Sequence, residues 1–252
     1  MDFYIEKFQR VLLLVGGRYF IFAGITFFVF YVMLKNRISS KKIQANFPKT
    51  ADFLREIGFS FSSMVIFALI ITPIYFNPEL RAHSTIYNNI SELGWGYYFL
   101  AFPIMFLMHD TYFYWLHRWM HMPKIYKWVH ITHHKSNNPS PWAAYAFHPI
   151  EAILENGIAI VFYWTIPVHV THVPLFFVFS ILYNIYGHLG WELYPKGFNR
   201  TAIGRWINTS VCHNQHHKFV KGNYGLYLLF WDRVMGTLRE DYDQAFDSVK
   251  AK

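Results

Sequence analysis

Three long runs of uncharged, mostly apolar residues constrain the fold of this chain more than any other feature. They cover residues 19–34, 59–76 and 93–108, and each approaches the length that a helix needs to cross about 30 Å of hydrocarbon. The composition agrees, since 54% of the residues are hydrophobic and only 15% are charged. The sequence therefore predicts an all-α integral membrane protein with about three transmembrane helices.

A fourth apolar region is interrupted in its middle by polar residues. Residues 156–168 and 173–187 are apolar, and they flank a short segment that contains His169 and His172. Each half is short for a full membrane crossing. We therefore predict a re-entrant helical hairpin that enters the membrane from one side.

The loop between the first two apolar runs is strongly basic, with six basic residues against only Asp52 and Glu56. A formal net charge of +8 would favour a nucleic-acid partner in a soluble domain, but here the loop between the first two apolar runs holds Lys35, Arg37, Lys41, Lys42, Lys49 and Arg55. Basic loops favour the cytoplasmic side of a membrane. We expect no nucleic-acid partner, and we expect a helical cap on the cytoplasmic face, in the endoplasmic reticulum of a eukaryote or the inner membrane of a bacterium.

Three histidine clusters have the spacing of transition-metal ligands. The first pair is four residues apart, so both rings lie on one face if the third helix continues through it. The other two clusters share the pattern His-x-x-His-His, whose adjacent pair can serve two metal ions. Imidazole suits iron, zinc, copper and nickel, and so many histidines exceed what one ion can bind. The sequence predicts a di-metal site formed by His117, His121, His130, His133, His134, His213, His216 and His217.

Other polar residues are candidates for metal binding or for holding the ligands in place. His188 is a predicted ligand, whereas Asn184, four residues earlier, fits equally well as a buried polar residue. Asp110 precedes the first cluster on the same predicted helix face, where it can orient imidazole rings or serve as a charge at the helix end. The possible ligands or orienting residues are Asn184, His148, Asp110, Tyr114 and Asp232.

Two other interpretations of these residues, a zinc peptidase and a cysteine ligand, have less support in the sequence. Zinc peptidases also use histidines four residues apart, but they need a glutamate where Arg118 stands. Cys212 is the only cysteine; it excludes an intrachain disulfide, and we interpret it as a small packed residue rather than a ligand. The residue types alone do not choose between iron and zinc.

From residue 109 to residue 239, the motifs together resemble the fatty acid hydroxylase and sterol desaturase superfamily, with the sterol C5-desaturases as the nearest branch. We expect residues 1–252 to form a single membrane domain in which residues 109–239 are the catalytic region. The resemblance is carried by His109-Asp-Thr-Tyr-Phe-Tyr-Trp-Leu-His117-Arg-Trp-Met-His121, His130-Ile-Thr-His133-His134, Ala146-Phe-His148-Pro-Ile-Glu151, Cys212-His213-Asn-Gln-His216-His217, Asn223-Tyr-Gly225 and Trp231-Asp232-Arg.

This resemblance implies a non-haem di-iron oxidoreductase that hydroxylates or desaturates a C–H bond of a sterol, isoprenoid or fatty acyl lipid. The cofactors would be two iron ions, with molecular oxygen as co-substrate. Electrons would come from a separate donor, either a cytochrome b5-like protein or a ferredoxin with its reductase. The clustered histidines and His188 would hold the metals, with no catalytic residue beyond them. Asn184 stands where some members have a further histidine.

The alternative prediction is a histidine-rich membrane metal transporter or metal-binding protein. It explains why apolar helices occur together with metal ligands. It does not explain why acidic residues are scarce within the apolar runs, since cation pathways usually place them there. Both hydroxylation and desaturation, and several lipids, fit the sequence.

Overall fold

Helices dominate the computed structural model, which describes residues 2–251. Its only strands within this range are β1 (Ile86–Tyr87) and β2 (Val168–His169), which pair in parallel. Short 3-10 turns connect several of the helices. The α-helices are α1 (Asp2–Phe27), α2 (Lys35–Ile38), α3 (Thr50–Phe76), α4 (Pro78–Ala82), α5 (Gly94–Met120), α6 (Pro123–Val129), α7 (Ile131–His134), α8 (Pro149–Thr165), α9 (His172–Gly187), α10 (Ser210–Phe219), α11 (Phe230–Val234) and α12 (Tyr242–Lys250).

Two of the helices are long and apolar enough to cross a membrane. One is α1, which continues through a π-helical turn and so covers Asp2–Met33, and the other is α3. A core helix of a soluble protein is mostly buried, but only 17% and 33% of the apolar windows of these two helices are buried. Apolar side chains such as Leu13 and Ile25 are instead more than half exposed. The chain therefore has the character of a membrane protein.

The third apolar run, residues 93–108, contains the whole first half of α5. This helix has the same length as α3, 27 residues, but it is not among the helices that are apolar enough to cross a membrane in the described part of the chain. The reason is its polar second half, in which His109, Asp110 and His117 are buried. Two of the three predicted spans are thus long and apolar enough to cross a membrane. The third, α5, packs in the same bundle and carries part of the histidine site.

The predicted helical hairpin is formed by α8 and α9, with 17 and 16 residues. Its connection contains β2, and β2 pairs with β1 from the segment between α3 and α5. The Thr85 amide donates to the Tyr163 carbonyl (2.8 Å), and the Tyr97 hydroxyl donates to the Pro167 carbonyl (3.0 Å). The tip of the hairpin therefore lies at the end of the bundle where α3 ends and α5 begins. The histidines lie at the other end of α5.

Candidate metal centre

Nine histidines from four parts of the chain converge at one end of the helix bundle. The last turn of α5 and its C-cap provide the first pair, α7 and the residue before it provide three, the C-cap of α9 provides one, and α10 provides three. These are the nine histidines that the sequence singles out. They form two groups, in each of which the ring nitrogens lie within 4.8 Å of one another: His117, His121, His130, His134 and His216; and His133, His188, His213 and His217.

The pattern His-x-x-His-His explains how two helices serve both groups. On α10, His213 and His217 are four residues apart and share one helix face. His216 lies about 100° around the helix from its neighbour and joins the other group. On α7, adjacent His133 and His134 separate between the groups in the same way. Each adjacent pair thus brings the two groups next to each other.

In the first group, the Nε2 atoms of the rings face one another at short distances. The His130 Nε2 atom lies 3.0 Å from that of His117 and 3.1 Å from that of His134. The His121 Nε2 atom lies 3.2 Å from that of His134. Two nitrogens that each lie about 2.0–2.1 Å from one metal ion are separated by about 2.9–3.4 Å. The first group therefore has the spacing of ligands to a single ion.

The second group has the same geometry around His188. The Nε2 atom of this ring lies 3.1 Å from those of His213 and His217, and 3.3 Å from that of His133. The Nε2 atoms of His213 and His217 are 3.2 Å apart. These four rings come from three different helices or helix ends. They also have the spacing of ligands to one ion.

Hydrogen bonds at the other ring nitrogen set the tautomer of four of these histidines. Each Nδ1 atom contacts a backbone carbonyl, which can only accept, so the proton is on Nδ1 and the lone pair is on Nε2. The pairs are His117 with Tyr224 (2.9 Å), His188 with Asn184 (2.7 Å), His216 with Gly222 (2.7 Å) and His217 with Ser136 (3.0 Å).

Facing lone pairs require a positive charge between them. The Nε2 atoms of His188 and His217, both unprotonated, are 3.1 Å apart. Burial lowers the pKa of His217 and His216 well below the usual value for histidine, so protonation does not supply this charge. The Nε2 atom of His216 is buried without a hydrogen-bond partner among residues 2–251. The residues present therefore fit two transition-metal ions.

Glu151 is a site residue that the sequence analysis did not assign. It is completely buried in the first turn of α8, and the His130 Nδ1 atom donates to its carboxylate at 2.6 Å. The sequence offered two signals for it, an acidic residue at the start of a long apolar helix and its place at the end of the motif Ala146-Phe-His148-Pro-Ile-Glu151. His148, which we considered as an orienting residue, instead caps α8, because its Nδ1 atom accepts from the Ile150 amide (3.3 Å).

Asp110 and Asp232 both hold the backbone of the segment that follows α10. Asp110 accepts from the amides of Tyr227 and Leu228 at 2.9 and 3.0 Å. Asp232 accepts from the amide of Tyr224 at 2.8 Å, and the carbonyl of the same tyrosine accepts from the first-group histidine on α5. Asp232 therefore positions the His117 ring through Tyr224, whereas Asp110 holds the backbone a few residues further along the same segment.

The remaining candidates are placed around the site by other contacts. The Tyr114 hydroxyl bonds to Thr237 (2.9 Å), which also donates to Asp232. The Asn184 amide donates to the Ala144 carbonyl at 2.7 Å. Cys212 is buried in an apolar cluster, and burial raises the pKa of its thiol well above the usual value. It lies outside both histidine groups.

Replacing Asp232 by asparagine is expected to destabilise the fold. The carboxylate is completely buried and accepts from two backbone amides and a hydroxyl. An asparagine amide group would face these donors, which should lower the free energy of unfolding by about 2–3 kcal/mol. Thermal unfolding in detergent measures this effect. The control Asp241→Asn removes an ion pair with Arg239 near the surface and should change the stability by less than about 1 kcal/mol; equal effects would contradict the prediction.

An apolar cavity of about 410 Å³ lies in the bundle beside the histidines. Two rings of its wall contact the site: the Phe113 ring centroid is 5.0 Å from that of His117, and the Phe147 centroid is 5.2 Å from that of His133. The volume is within the range of about 300–1,000 Å³ that is usual for small-molecule sites. The cavity can therefore hold an apolar molecule with one end at the histidines.

Comparison with known proteins relates this site to lipid-modifying enzymes. The model of the family described as fatty acid hydroxylase matches residues 102–237, more than half of the chain. A Delta(7)-sterol 5(6)-desaturase of Gibberella zeae is 35% identical over 73% of this chain and 55% of its own length. One from Leptosphaeria maculans is 30% identical over 90% of this chain and 60% of its own length.

A human protein is similar over a comparable share of the chain. Lathosterol oxidase of Homo sapiens is 31% identical over 73% of this chain and 60% of its own length. The chain thus spans between half and two thirds of the length of these three relatives. No solved structure matches the chain.

Proposed function

The chain belongs to the fatty acid hydroxylase family, and from this premise we propose that it is an oxygen-dependent lipid oxidoreductase with two iron ions. The observation that carries the proposal is the pair of histidine groups beside an apolar cavity. Within each group, neighbouring Nε2 atoms lie 3.0–3.3 Å apart. Iron, when bound, would supply the redox chemistry that activates molecular oxygen. The five-histidine group would hold one ion and the four-histidine group the other.

The chain's own contribution is to aim the ligands and exclude water. Backbone carbonyls fix the protons on the Nδ1 atoms, so the Nε2 lone pairs point inward before any metal binds. Glu151 orients His130 in the same way. The apolar cavity wall excludes water from the reacting end, and Phe113 and Phe147 set the limit of how closely a lipid approaches the histidines.

Each proposed reaction consumes one oxygen molecule and two external electrons. In desaturation, the lipid loses two hydrogen atoms, that is, two protons and two electrons; a donor provides two more electrons, two protons come from solution, and one oxygen molecule is reduced to two water molecules. In hydroxylation, one oxygen atom enters the C–H bond, and the other leaves as water with the same two external electrons. We propose a separate electron donor, a cytochrome b5-like protein or a ferredoxin with its reductase. The names of the relatives make a sterol the first substrate to test.

The transporter alternative lacks a comparable observation. The relatives described above are named as desaturases and an oxidase. The histidine rings are held by backbone carbonyls and a buried carboxylate at one end of the bundle. Such fixed rings suit a resident cofactor better than an ion in transit.

Comparative lipid mass spectrometry tests the proposed function. Cells that contain the chain should accumulate a lipid that differs from its precursor by the loss of two hydrogens or the gain of one oxygen. Cells with the inactive variant His217→Ala serve as the control, because that ring belongs to the four-histidine group. Identical lipid profiles in both cell lines, with equal protein levels and an electron donor present, would contradict the proposal.

We propose that the metal centre lies on the cytoplasmic face, and labelling of introduced cysteines tests this topology. Lys41 and Lys221 are exposed near the histidine end, and Ala82 is exposed in α4 beyond the far end of α3. An impermeant thiol reagent should label Lys41→Cys and Lys221→Cys from the cytoplasmic side and Ala82→Cys from the opposite side. The native Cys212 is buried and should not react. Labelling of the two lysine positions from opposite sides would refute the topology.

A further inference from the structure

One tyrosine ring lies directly against the five-histidine group. The ring centroid of Tyr224 is 5.0 Å from that of His121, 5.6 Å from that of His216 and 5.7 Å from that of His117. The side chain is only 9% exposed. A phenol ring, which can be oxidised, therefore contacts three of the five side chains proposed to hold one metal ion.

Three further oxidisable rings connect Tyr224 to the surface. Tyr114 is completely buried, and its ring centroid lies 6.4 Å from that of Tyr224 and 5.4 Å from that of Trp115. Trp231 stacks on Tyr114 at 6.0 Å and lies 5.6 Å from Trp115, which provides a second route outward. Aromatic rings in contact have centroids about 4.5–7 Å apart. Trp115 is 44% exposed, so these four rings, the aromatic row, form an unbroken connection from the metal centre to the surface.

The buried hydroxyl group of Tyr114 has an acceptor for its proton. It lies 2.9 Å from the hydroxyl of Thr237, which donates to the carboxylate of Asp232 at 2.7 Å. Because the Thr237 proton is directed at Asp232, the Tyr114 hydroxyl is the donor in this pair. A tyrosine that loses an electron also loses its hydroxyl proton. The proton can pass to Thr237 while the Thr237 proton passes to Asp232, so Tyr114 can be oxidised and restored without contact with water.

The other aromatic rings at the site offer no such connection. Tyr126 lies 5.4 Å from His121, but among residues 2–251 its ring neighbours no other tyrosine or tryptophan. Phe147 lies 5.2 Å from His133 in the four-histidine group, and a phenylalanine ring is much harder to oxidise than a phenol or an indole. The row that begins at Tyr224 thus combines oxidisable side chains with continuous contact.

Oxygen chemistry without a lipid in the cavity would damage the site. An oxidant that removes hydrogen from a lipid C–H bond also attacks side chains when no lipid is present, and enzymes must suppress such side reactions. The O–H bond of a phenol is no stronger than an aliphatic C–H bond, so Tyr224 and Tyr114 are able to reduce such an oxidant. They release electrons only to strong oxidants, and the row is therefore unsuited to carrying electrons inward from a donor.

We propose that the aromatic row carries oxidising equivalents from the metal centre to the surface when oxygen reacts in the absence of a lipid. This inference rests on the proposed function, which supplies the oxidant. In such a cycle, one oxygen molecule takes up four electrons and four protons and leaves as two water molecules. The electron donor supplies two of the electrons, with two protons from solution. The aromatic row supplies the other two electrons and two protons, and a soluble thiol restores them at Trp115 while it is oxidised to its disulfide.

Peptide mass spectrometry after a single reaction with oxygen tests this path. The full chain is loaded with iron, reduced without oxygen, freed of excess reductant and mixed with oxygenated buffer in the absence of lipid. We expect Trp115 to gain an oxygen atom, and we expect this gain to disappear when glutathione is added or when zinc, which has no redox chemistry, replaces iron. Trp95, 62% exposed at the other end of α5, is the internal reference. Equal oxidation of the two tryptophans, or oxidation in the zinc protein, would overturn the proposal.

Two matched tyrosine variants identify where oxidation enters the aromatic row. Tyr224→Phe keeps the backbone carbonyl that holds His117 but removes the phenol, so it should abolish oxidation of Trp115 and shift it to the site histidines. Tyr126→Phe also changes a tyrosine beside a site histidine, but outside the row, and should leave Trp115 oxidation at the wild-type level. Iron content is measured before the reaction. Wild-type oxidation of Trp115 in iron-loaded Tyr224→Phe would contradict the proposed path.

A variant at the exposed end of the row needs no change near the ligands. Trp115→Phe replaces a partly exposed ring and should increase the oxidation of Trp231, which lies one contact further in. The matched control Trp95→Phe should leave the oxidation of both Trp115 and Trp231 unchanged. No gain of oxygen at Trp231 in Trp115→Phe would count against a continuous row.

Addition of lathosterol before oxygen separates this inference from the proposed function. A lipid in the cavity should consume the oxidising equivalents and suppress oxidation of Trp115. Lipid product in this sample, without Trp115 oxidation in the lipid-free sample, would support the function and overturn the role of the aromatic row. Iron-dependent oxidation of Trp115 without any lipid product would leave the row intact and count against lipid oxidation. Neither product in iron-loaded protein would overturn both.

Discussion

The variant His133→Ala is expected to lose oxidation activity and about one metal ion per chain while it still inserts into the membrane. His133 belongs to the four-histidine group, and its Nε2 atom lies 3.3 Å from that of His188. Removal of one of four ligands should reduce activity by more than about 100-fold, because even residues that only orient a ligand contribute about 10–100-fold. Elemental analysis should count iron and zinc together, since both bind imidazole.

The control for this variant is a histidine outside the site. His83 is exposed, and its Nδ1 atom contacts the Glu79 carbonyl at 2.9 Å. His83→Ala should retain both the metal and the activity of the wild type. Full activity and full metal content in His133→Ala would refute the assignment of the second group.

Replacing Glu151 is expected to have the second largest effect, although this residue does not itself belong to either histidine group. Its carboxylate accepts from the His130 Nδ1 atom at 2.6 Å, and both side chains are buried. Glu151→Leu removes that acceptor, which should lower metal affinity by about 10–100-fold. Competition with a chelator measures the affinity directly.

A conservative variant distinguishes orientation from simple packing. Glu151→Gln keeps a carbonyl oxygen that can accept from His130, so it should recover most of the metal affinity that Glu151→Leu loses. Glu79→Leu, at an exposed position, should have no effect. Equal metal affinity in Glu151→Leu and wild type would show that the carboxylate does not orient the ring.

The grouping of the histidines could be predicted from the sequence because the spacing that decides it is local. Residues three and four apart on a helix share a face, and adjacent histidines diverge. This is why the pattern on α10 predicts that His213 and His217 lie together while His216 joins other rings. The groups that hold the rings could not be predicted in this way. The carbonyls of Tyr224 and Gly222 belong to the backbone, so no residue type in the sequence indicates their role.

The fold could be predicted where a long apolar pattern dictates it, and less well elsewhere. The apolar runs without charged residues predicted α3 and the two helices of the hairpin. The first apolar run starts at residue 19, after Arg18, whereas α1 begins at Asp2. The position of this arginine in a cavity wall could not be predicted, because it depends on how separate helices pack. The pairing of β1 with β2 could not be predicted either, because two-residue strands are too short to show a periodic pattern.

The central claim is that two metal ions held by these histidines support oxygen-dependent oxidation of a lipid. The most direct measurement uses purified, iron-loaded protein with a chemical reductant and lathosterol, in matched aerobic and anaerobic samples analysed by mass spectrometry. We predict a product that has lost two hydrogens or gained one oxygen, formed only with oxygen and abolished in His133→Ala. A product that forms at the same rate without oxygen, or in the variant, would contradict the claim.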